Sequence, residues 1–237
     1  MRLMTMNTEF AMKKWLVDEV MSSHTLIAGT TGSGKSVLLN DLLIAINSYS
    51  EEYGDPICVF FDLKRVELCQ YKLLKGFCAG YVTEPRQVLS ALDWAIDKME
   101  ARYKEMNGRK KSSRPPLLLV IDELADLVSI KGSLDRLIKI GRLGRAANVR
   151  LLCATQDPSR RTLSAQFMQN VTCSIALRCK SAIESRQIIG VPGAELLPRY
   201  GKALVYTPSG LDEFEIPYVP EEWVEAYIAG RVLEQGA

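Results

Sequence analysis

Gly29-Thr30-Thr31-Gly32-Ser33-Gly34-Lys35-Ser36 has the spacing G-x-x-x-x-G-K-S, the pattern of a loop whose backbone N–H groups surround nucleotide phosphates. Its glycines let the backbone turn those N–H groups inward, Lys35 reaches the β- and γ-phosphates, and the Ser36 hydroxyl can hold Mg²⁺. Outward from it, Thr25-Leu26-Ile27-Ala28 is a short apolar, strand-like run, and Val37-Leu38-Leu39-Asn40-Asp41-Leu42-Leu43 has helical spacing. Strand, loop and helix in that order aim a helix N-terminus at the phosphates. The expected nucleotide contacts are Gly29, Thr30, Thr31, Gly32, Ser33, Gly34, Lys35, Ser36 and Val37, with ATP and Mg²⁺ as the cofactors.

The 237 residues, 47% hydrophobic, suffice for one large α/β domain or two small ones with a proper core and no metal or disulfide staple. Six cysteines show no C-x-x-C pair and read as reduced core residues of a cytosolic protein. The N-terminus lacks a signal-type apolar region, and runs such as Leu117 to Ile121 are far shorter than the roughly 20 residues of a membrane span. A soluble, cytoplasmic chain is therefore expected, with a membrane-bound partner left open. A net charge of +2 hides an asymmetry: Arg136 to Arg186 carries ten Lys/Arg against two acids, and Gly210 to Ala237 carries seven acids against one arginine. The basic stretch suits an anionic partner or a solvated face, and the acidic tail is expected to face solvent or a basic neighbour.

Short apolar runs alternate with helical periodicity, the pattern of a mainly parallel sheet covered on both faces by helices. The candidate strands are Thr25 to Ala28, Ile57 to Asp62, Leu117 to Asp122, Arg150 to Thr155, Cys173 to Leu177 and Lys202 to Tyr206. Helical faces are expected from Leu38, Leu39, Leu42, Leu43 and Ile46, from Val88, Leu89, Leu92, Ile96, Met99 and Tyr103 after Pro85, and from Leu134, Leu137, Ile138 and Leu143. Asn107 to Pro116 reads as a basic surface loop. Residues 1–23 are expected to form a strand or hairpin leading into the sheet, with Trp15, Leu16 and Val17 in the core, and 24–237 a single ATPase domain.

Leu117-Leu118-Leu119-Val120-Ile121-Asp122-Glu123 is an apolar run ending in two acids, so a buried strand would deliver both carboxylates to the nucleotide. Asp122 is assigned to magnesium and Glu123 to activation of the attacking water. Leu151-Leu152-Cys153-Ala154-Thr155-Gln156 ends at the same edge, where Gln156 can sense the γ-phosphate or place the water; Asp62 and Lys64 lie there with a weaker claim. One cis lysine leaves developing charge only partly neutralised, and an arginine from a neighbouring subunit is the usual remedy. Arg142, Arg145 and Arg186 all qualify on position alone.

Together these motifs resemble the motor domain of the FtsK/SpoIIIE family, in the HerA/FtsK group of RecA-like ATPases. The resemblance rests on His24 through Ser36, Asp62 to Leu68, Val120 to Leu127, Arg145 to Ser159, and Ser185-Arg186 with Gly193 to Leu197. It implies an α/β, RecA-like P-loop NTPase domain, a ring, usually a hexamer, with ATP between subunits, and Arg145 as the trans arginine, ahead of Arg186. Family translocases typically have arginine after the glutamine where Asp157 precedes Pro158, and two further pore lysines match Met168 and Ala182. Arg160, Arg161 and Lys180 are then the candidate DNA contacts, since backbone gripping needs only positive charge and reach. The chain also lacks room for the further domains that such translocases carry and reads as a stripped motor. The expected activity is Mg-ATP-dependent hydrolysis coupled to double-stranded DNA translocation in segregation, conjugative transfer or packaging. The alternatives are a related ATPase that moves protein in a secretion system and a nucleotide-switched assembly module without sustained turnover.

Overall fold

The computed structural model describes residues 9–236, with side chains over 13–234. Eight strands form one sheet: β1 (Thr25–Ala28), β2 (Ile57–Phe61), β3 (Cys78–Val82), β4 (Leu117–Ile121), β5 (Val149–Thr155), β6 (Cys173–Ala176), β7 (Lys202–Thr207) and β8 (Gly210–Glu215). Their order is β3-β2-β4-β5-β1-β6-β7-β8. The first six are parallel, and β7 and β8 close one edge antiparallel. The loop of Gly29 to Gly34 therefore leaves the carboxyl end of a central strand, flanked by β5 and β6, where doubly covered sheets bind ligands.

Among the described residues the α-helices are α1 (Glu9–Ser22), α2 (Lys35–Ser48), α3 (Pro85–Met106), α4 (Leu124–Val128), α5 (Ser133–Leu143), α6 (Ala165–Met168), α7 (Ala182–Ile189) and α8 (Glu221–Gly236). Because strand side chains alternate in direction, the sheet feeds two cores. Ile27, Leu118, Val120 and Leu152 pack with α1, α2 and α8, whereas Leu26, Leu119, Ile121 and Leu151 pack with α3, α5 and α7. All five residues of β4 are buried, and at roughly 1.5–3 kcal/mol per aliphatic side chain that strand anchors the acids at its end. The helix after Pro85 starts with a reciprocal capping box between Glu84 and Gln87 and buries Val88, Leu92, Ile96 and Met99. Asn107 to Pro116 is the irregular connection expected, entered through Asn107 at φ +43°.

Three expectations are corrected. The lead-in is a helix, not a strand or hairpin, over its described part; residues 1–8 lie outside the described residues. Leu16, Val17, Val20 and Met21 recur at helical spacing and are buried against α2, while Lys13 pairs with the buried Asp41. The acidic tail does not simply face solvent: α8 buries Val224 and Ile228, and the Tyr227 hydroxyl donates to Asn47 Oδ1 at 2.8 Å. The basic excess is partly spent internally, since Arg136 pairs with Asp93 and Lys139 with Glu100 on α3, and Arg150 is buried. Among the described residues no helix is long and apolar enough to cross a membrane.

Candidate nucleotide site

The loop turns through Gly32 at φ +74° and Gly34 at φ +95°, left-handed values that favour glycine. A Cβ at Gly29 would stand 2.6 Å from Leu177 Cβ and 2.7 Å from Ser33 Oγ, so the loop's first residue must also be glycine. Thr30 is fixed from the neighbouring strand's exit, its N–H donating to the Arg178 carbonyl at 2.9 Å. Gly34 caps α2, which directs the positive end of a 14-residue helix dipole at the cavity above the loop. Ser33 Oγ is buried with no hydrogen-bond partner among the described residues, a polar group left in the loop for a ligand to answer.

Lys35, though buried, donates from Nζ to the Asp122 carbonyl at 3.0 Å and to Asp122 Oδ1 at 3.2 Å. The two sequence motifs, 87 positions apart, thus meet through a charge pair between the start of α2 and the residue after β4. Glu123 is also buried, and its Oε1 accepts from Thr155 Oγ1 at 2.6 Å, while its two oxygens lie 3.2 and 3.1 Å from the Gln156 N–H. The Gln156 side chain accepts from Thr31 Oγ1 at 2.7 Å, so one residue touches both the phosphate loop and Glu123. Lys64 Nζ stands 3.9 Å from Glu123 and 3.6 Å from Asp126. Asp62 is occupied otherwise: it accepts from the N–H groups of Val66 and Leu68 and from the Tyr81 hydroxyl, organising the loop that presents Lys64.

The arginines separate by edge. Arg145 sits exposed in the turn before β5, so the length of that seven-residue strand, roughly 20 Å, separates it from Thr155 and the phosphate loop. Arg142 shares that far edge, and Arg186 is exposed in the last turn of α7. The Arg145 turn is pinned from below: Arg150 donates to the carbonyls of Gly144, Arg145 and Val149, and His24 Nδ1 accepts from the Leu151 N–H at 3.0 Å. Burial, with Arg150 and Arg145 nearby, lowers the His24 pKa to about 3 and keeps it neutral; burial and the neighbouring arginines bring Arg150 down to about 10.

Arg160, Arg161 and Lys180 are all exposed on segments leaving the carboxyl ends of β5 and β6, the phosphate-loop edge. Asp157 is exposed but folds back on its own turn, accepting from Ser159 N–H and Oγ and from Thr162 Oγ1, which shapes the turn that carries the two arginines. Burial pushes its carboxyl the other way, but these bonds from Thr162 and Ser159 hold it below the usual carboxylate range. Met168 is partly buried against the core, and Ala182 opens α7.

A cavity of about 480 Å³ lies above the loop, and its second wall consists of Tyr200, Gly201, Ile216, Pro217 and Tyr218. Sequence reasoning missed that wall because it comes from the entry to β7 and the exit from β8. The available signals were two dipeptides with one tyrosine each, Tyr200-Gly201 and Pro217-Tyr218, flanking the edge hairpin.

Residues 3–113 match the model of the FtsK/SpoIIIE family. The chain is 36% identical over 234 residues to a DNA translocase FtsK of Clostridium tetani, covering 90% of this chain and 31% of that protein. It is 32% identical to that of Streptomyces avermitilis, covering 86% and 26%. It thus spans under a third of the length of these curated relatives. Among solved structures, the pCW3 conjugation coupling protein TcpA superposes with a TM-score of 0.78 at 24% identity, covering 91% of this chain and 65% of that one, and shows the shared fold. The cytoplasmic domain of the Thermomonospora curvata type VII secretion ATPase EccC superposes with a TM-score of 0.70 at 27% identity, covering 89% and 28%. The fold is that of the P-loop ATPases, with Lys35 meeting Asp122 beside Glu123, and the chain is similar to the FtsK/SpoIIIE family over residues 3–113 and to DNA translocases FtsK over most of its own length.

Proposed function

We propose that this chain is an ATPase domain that drives double-stranded DNA, working as one member of a homo-oligomeric ring, of six copies on the family's usual plan. The observation that carries the hydrolytic half is the convergence of Lys35 on Asp122 beside a Glu123 held by Thr155 and Gln156. ATP fits the cavity: the loop's N–H groups, Lys35 and the α2 N-terminus receive its phosphates, and Ser33 Oγ gains a partner. Mg²⁺ would be held by Ser36 and Asp122, where it would offset charge on the terminal phosphates. Glu123 then takes a proton from the attacking water, with Thr155 and Gln156 fixing the carboxylate's direction. Gln156, bonded to Thr31 on one side and Glu123 on the other, reports loop occupancy to the water-activating group.

Arg145, stranded at the far edge of the sheet, serves a neighbour's nucleotide. The DNA assignment rests on the two FtsK relatives and on Arg160, Arg161 and Lys180 standing at the working edge. Asp157 does not oppose it, because its carboxylate is engaged within its own turn. The test is ATP turnover with and without double-stranded DNA, read beside molar mass by light scattering. Stimulation in an assembled species is expected; assembled protein whose turnover ignores DNA removes the DNA reading. The likeness to EccC, together with Met168 and Ala182 standing where pore lysines are expected, favours a second reading, an ATPase that moves protein. ATP binding without sustained turnover would instead indicate a nucleotide-switched assembly module.

A further inference from the structure

Arg199 belongs to none of the motifs above, yet its guanidinium lies over the phosphate loop. A Cβ built on Gly32 would stand 3.3 Å from Arg199 Nη2 and 3.9 Å from Nε. The side chain is brought there by its backbone. Gly201, at φ +82°, reverses the chain before β7, and its carbonyl accepts from the Ile216 N–H at 2.9 Å. That bond joins the 198–201 segment to the exit of β8 and sets Tyr200 and Tyr218 on the same wall of the cavity as each other. Arg199 Cζ also stands 5.2 Å from the Tyr200 ring centroid, which limits where the fork can swing.

The electrostatics make this placement informative. No ion pair among the described residues uses Arg199, whereas Lys35 is already matched to Asp122. An exposed cation held over the loop that opens a helix N-terminus is repelled by that positive end unless an anion joins them. A planar guanidinium is suited to two phosphate oxygens at once. We propose that Arg199 is a second cis cation of the nucleotide site, closing over the polyphosphate at the Gly32 tip while Lys35 holds it from the buried side. The proposal rests on the nucleotide reading above and adds a residue to it.

The experiment measures ATP and ADP affinity by calorimetry at low and high salt for the full chain and for Arg199→Ala and Arg199→Lys. The alanine variant is expected to bind ATP roughly 10-fold more weakly, with the deficit shrinking as salt rises and the lysine variant recovering part of it. Wild-type protein that fails to bind ATP defeats the nucleotide reading itself. Wild-type binding with an unchanged alanine variant overturns the Arg199 proposal alone. Loss of DNA affinity with unchanged ATP affinity also overturns it and assigns the arginine to DNA. A salt-independent loss that lysine does not restore, accompanied by a lower nucleotide-free melting temperature, overturns it as well by making Arg199 structural.

Discussion

Replacing His24, the buried residue just before β1, tests the pinning of the Arg145 turn with a magnitude set by its burial. Its Nδ1 accepts the Leu151 N–H, so protonating that nitrogen would place two donors face to face. The folded-state pKa is lowered to about 3, while the unfolded chain titrates near 6.5. Between those values the unfolded state binds more protons, so stability is full above about pH 6.5 and falls as pH drops towards 3. Linkage gives a loss of about 2 kcal/mol at pH 5 and about 3 kcal/mol at pH 4, relative to pH 8. For a chain of this size, 2 kcal/mol lowers Tm by roughly 4–8 °C. Acids held below their usual range, such as Asp157 and Asp93, also lose stabilisation as pH falls, so the raw curve is not diagnostic. The comparison is with His24→Asn, whose side-chain carbonyl can accept the same N–H without titrating. Unfolding free energies from urea titrations should fall further in the wild type than in the variant between pH 8 and pH 5, by about 2 kcal/mol. Parallel curves would refute the buried neutral imidazole and with it this account of the turn.

Glu123→Gln should cut ATP turnover by about 10² or more while ATP affinity, measured by calorimetry, stays within a few-fold; equal turnover would remove Glu123 as the base. Gly144→Ala places a Cβ 2.6 Å from the carbonyl oxygens of Ile140 and Val149, and should destabilise by about 1–3 kcal/mol in denaturant melts. Mixing inactive Lys35→Ala with inactive Arg145→Ala protein should restore part of the turnover, because some interfaces then pair an intact loop with an intact arginine; a mixture as inactive as its components argues against a trans role for Arg145.

What could be read from the sequence was what phosphate chemistry forces into contiguous residues. Gly29 to Ser36 and the Leu117 to Glu123 run each carry a whole local device, and burial of all five residues of β4 brings the second to the first. The missed elements lacked such local signatures. Leu16, Val17, Val20 and Met21 form a helical stripe, but the adjacent Trp15-Leu16-Val17 looks like a strand in isolation. The Cys78–Val82 strand contains Gly80 and sits at a sheet edge, and Gly210–Glu215 alternates acids with Leu211 and Phe214 on the other edge. Asp62 follows a strand to the nucleotide edge and so has a weaker claim there, but three donors engage its carboxylate. Tyr200, Tyr218 and Arg199 lie more than 160 positions from the loop they approach, and only the antiparallel closure of β7 and β8 brings them back.

On the reading that Arg145 acts in trans, β5 becomes the element that makes assembly a requirement of turnover. At its carboxyl end, Thr155 and Gln156 hold Glu123 and reach Thr31; at its amino end, Arg150 holds the turn of Arg145. Strand β5 is buried at every position and cannot stretch or fold back, so no motion of one copy brings its own Arg145 to its own phosphate loop. Where the Arg145 edge of one copy meets the loop edge of the next head to tail, the contact is heterologous and closes into a ring when its rotation permits. Turnover per chain should consequently rise with protein concentration until rings form and then level off, and DNA should shift that rise to lower concentration by gathering copies on one duplex. Turnover per chain that is constant across the dissociation range seen by light scattering would show that a single copy carries a complete site.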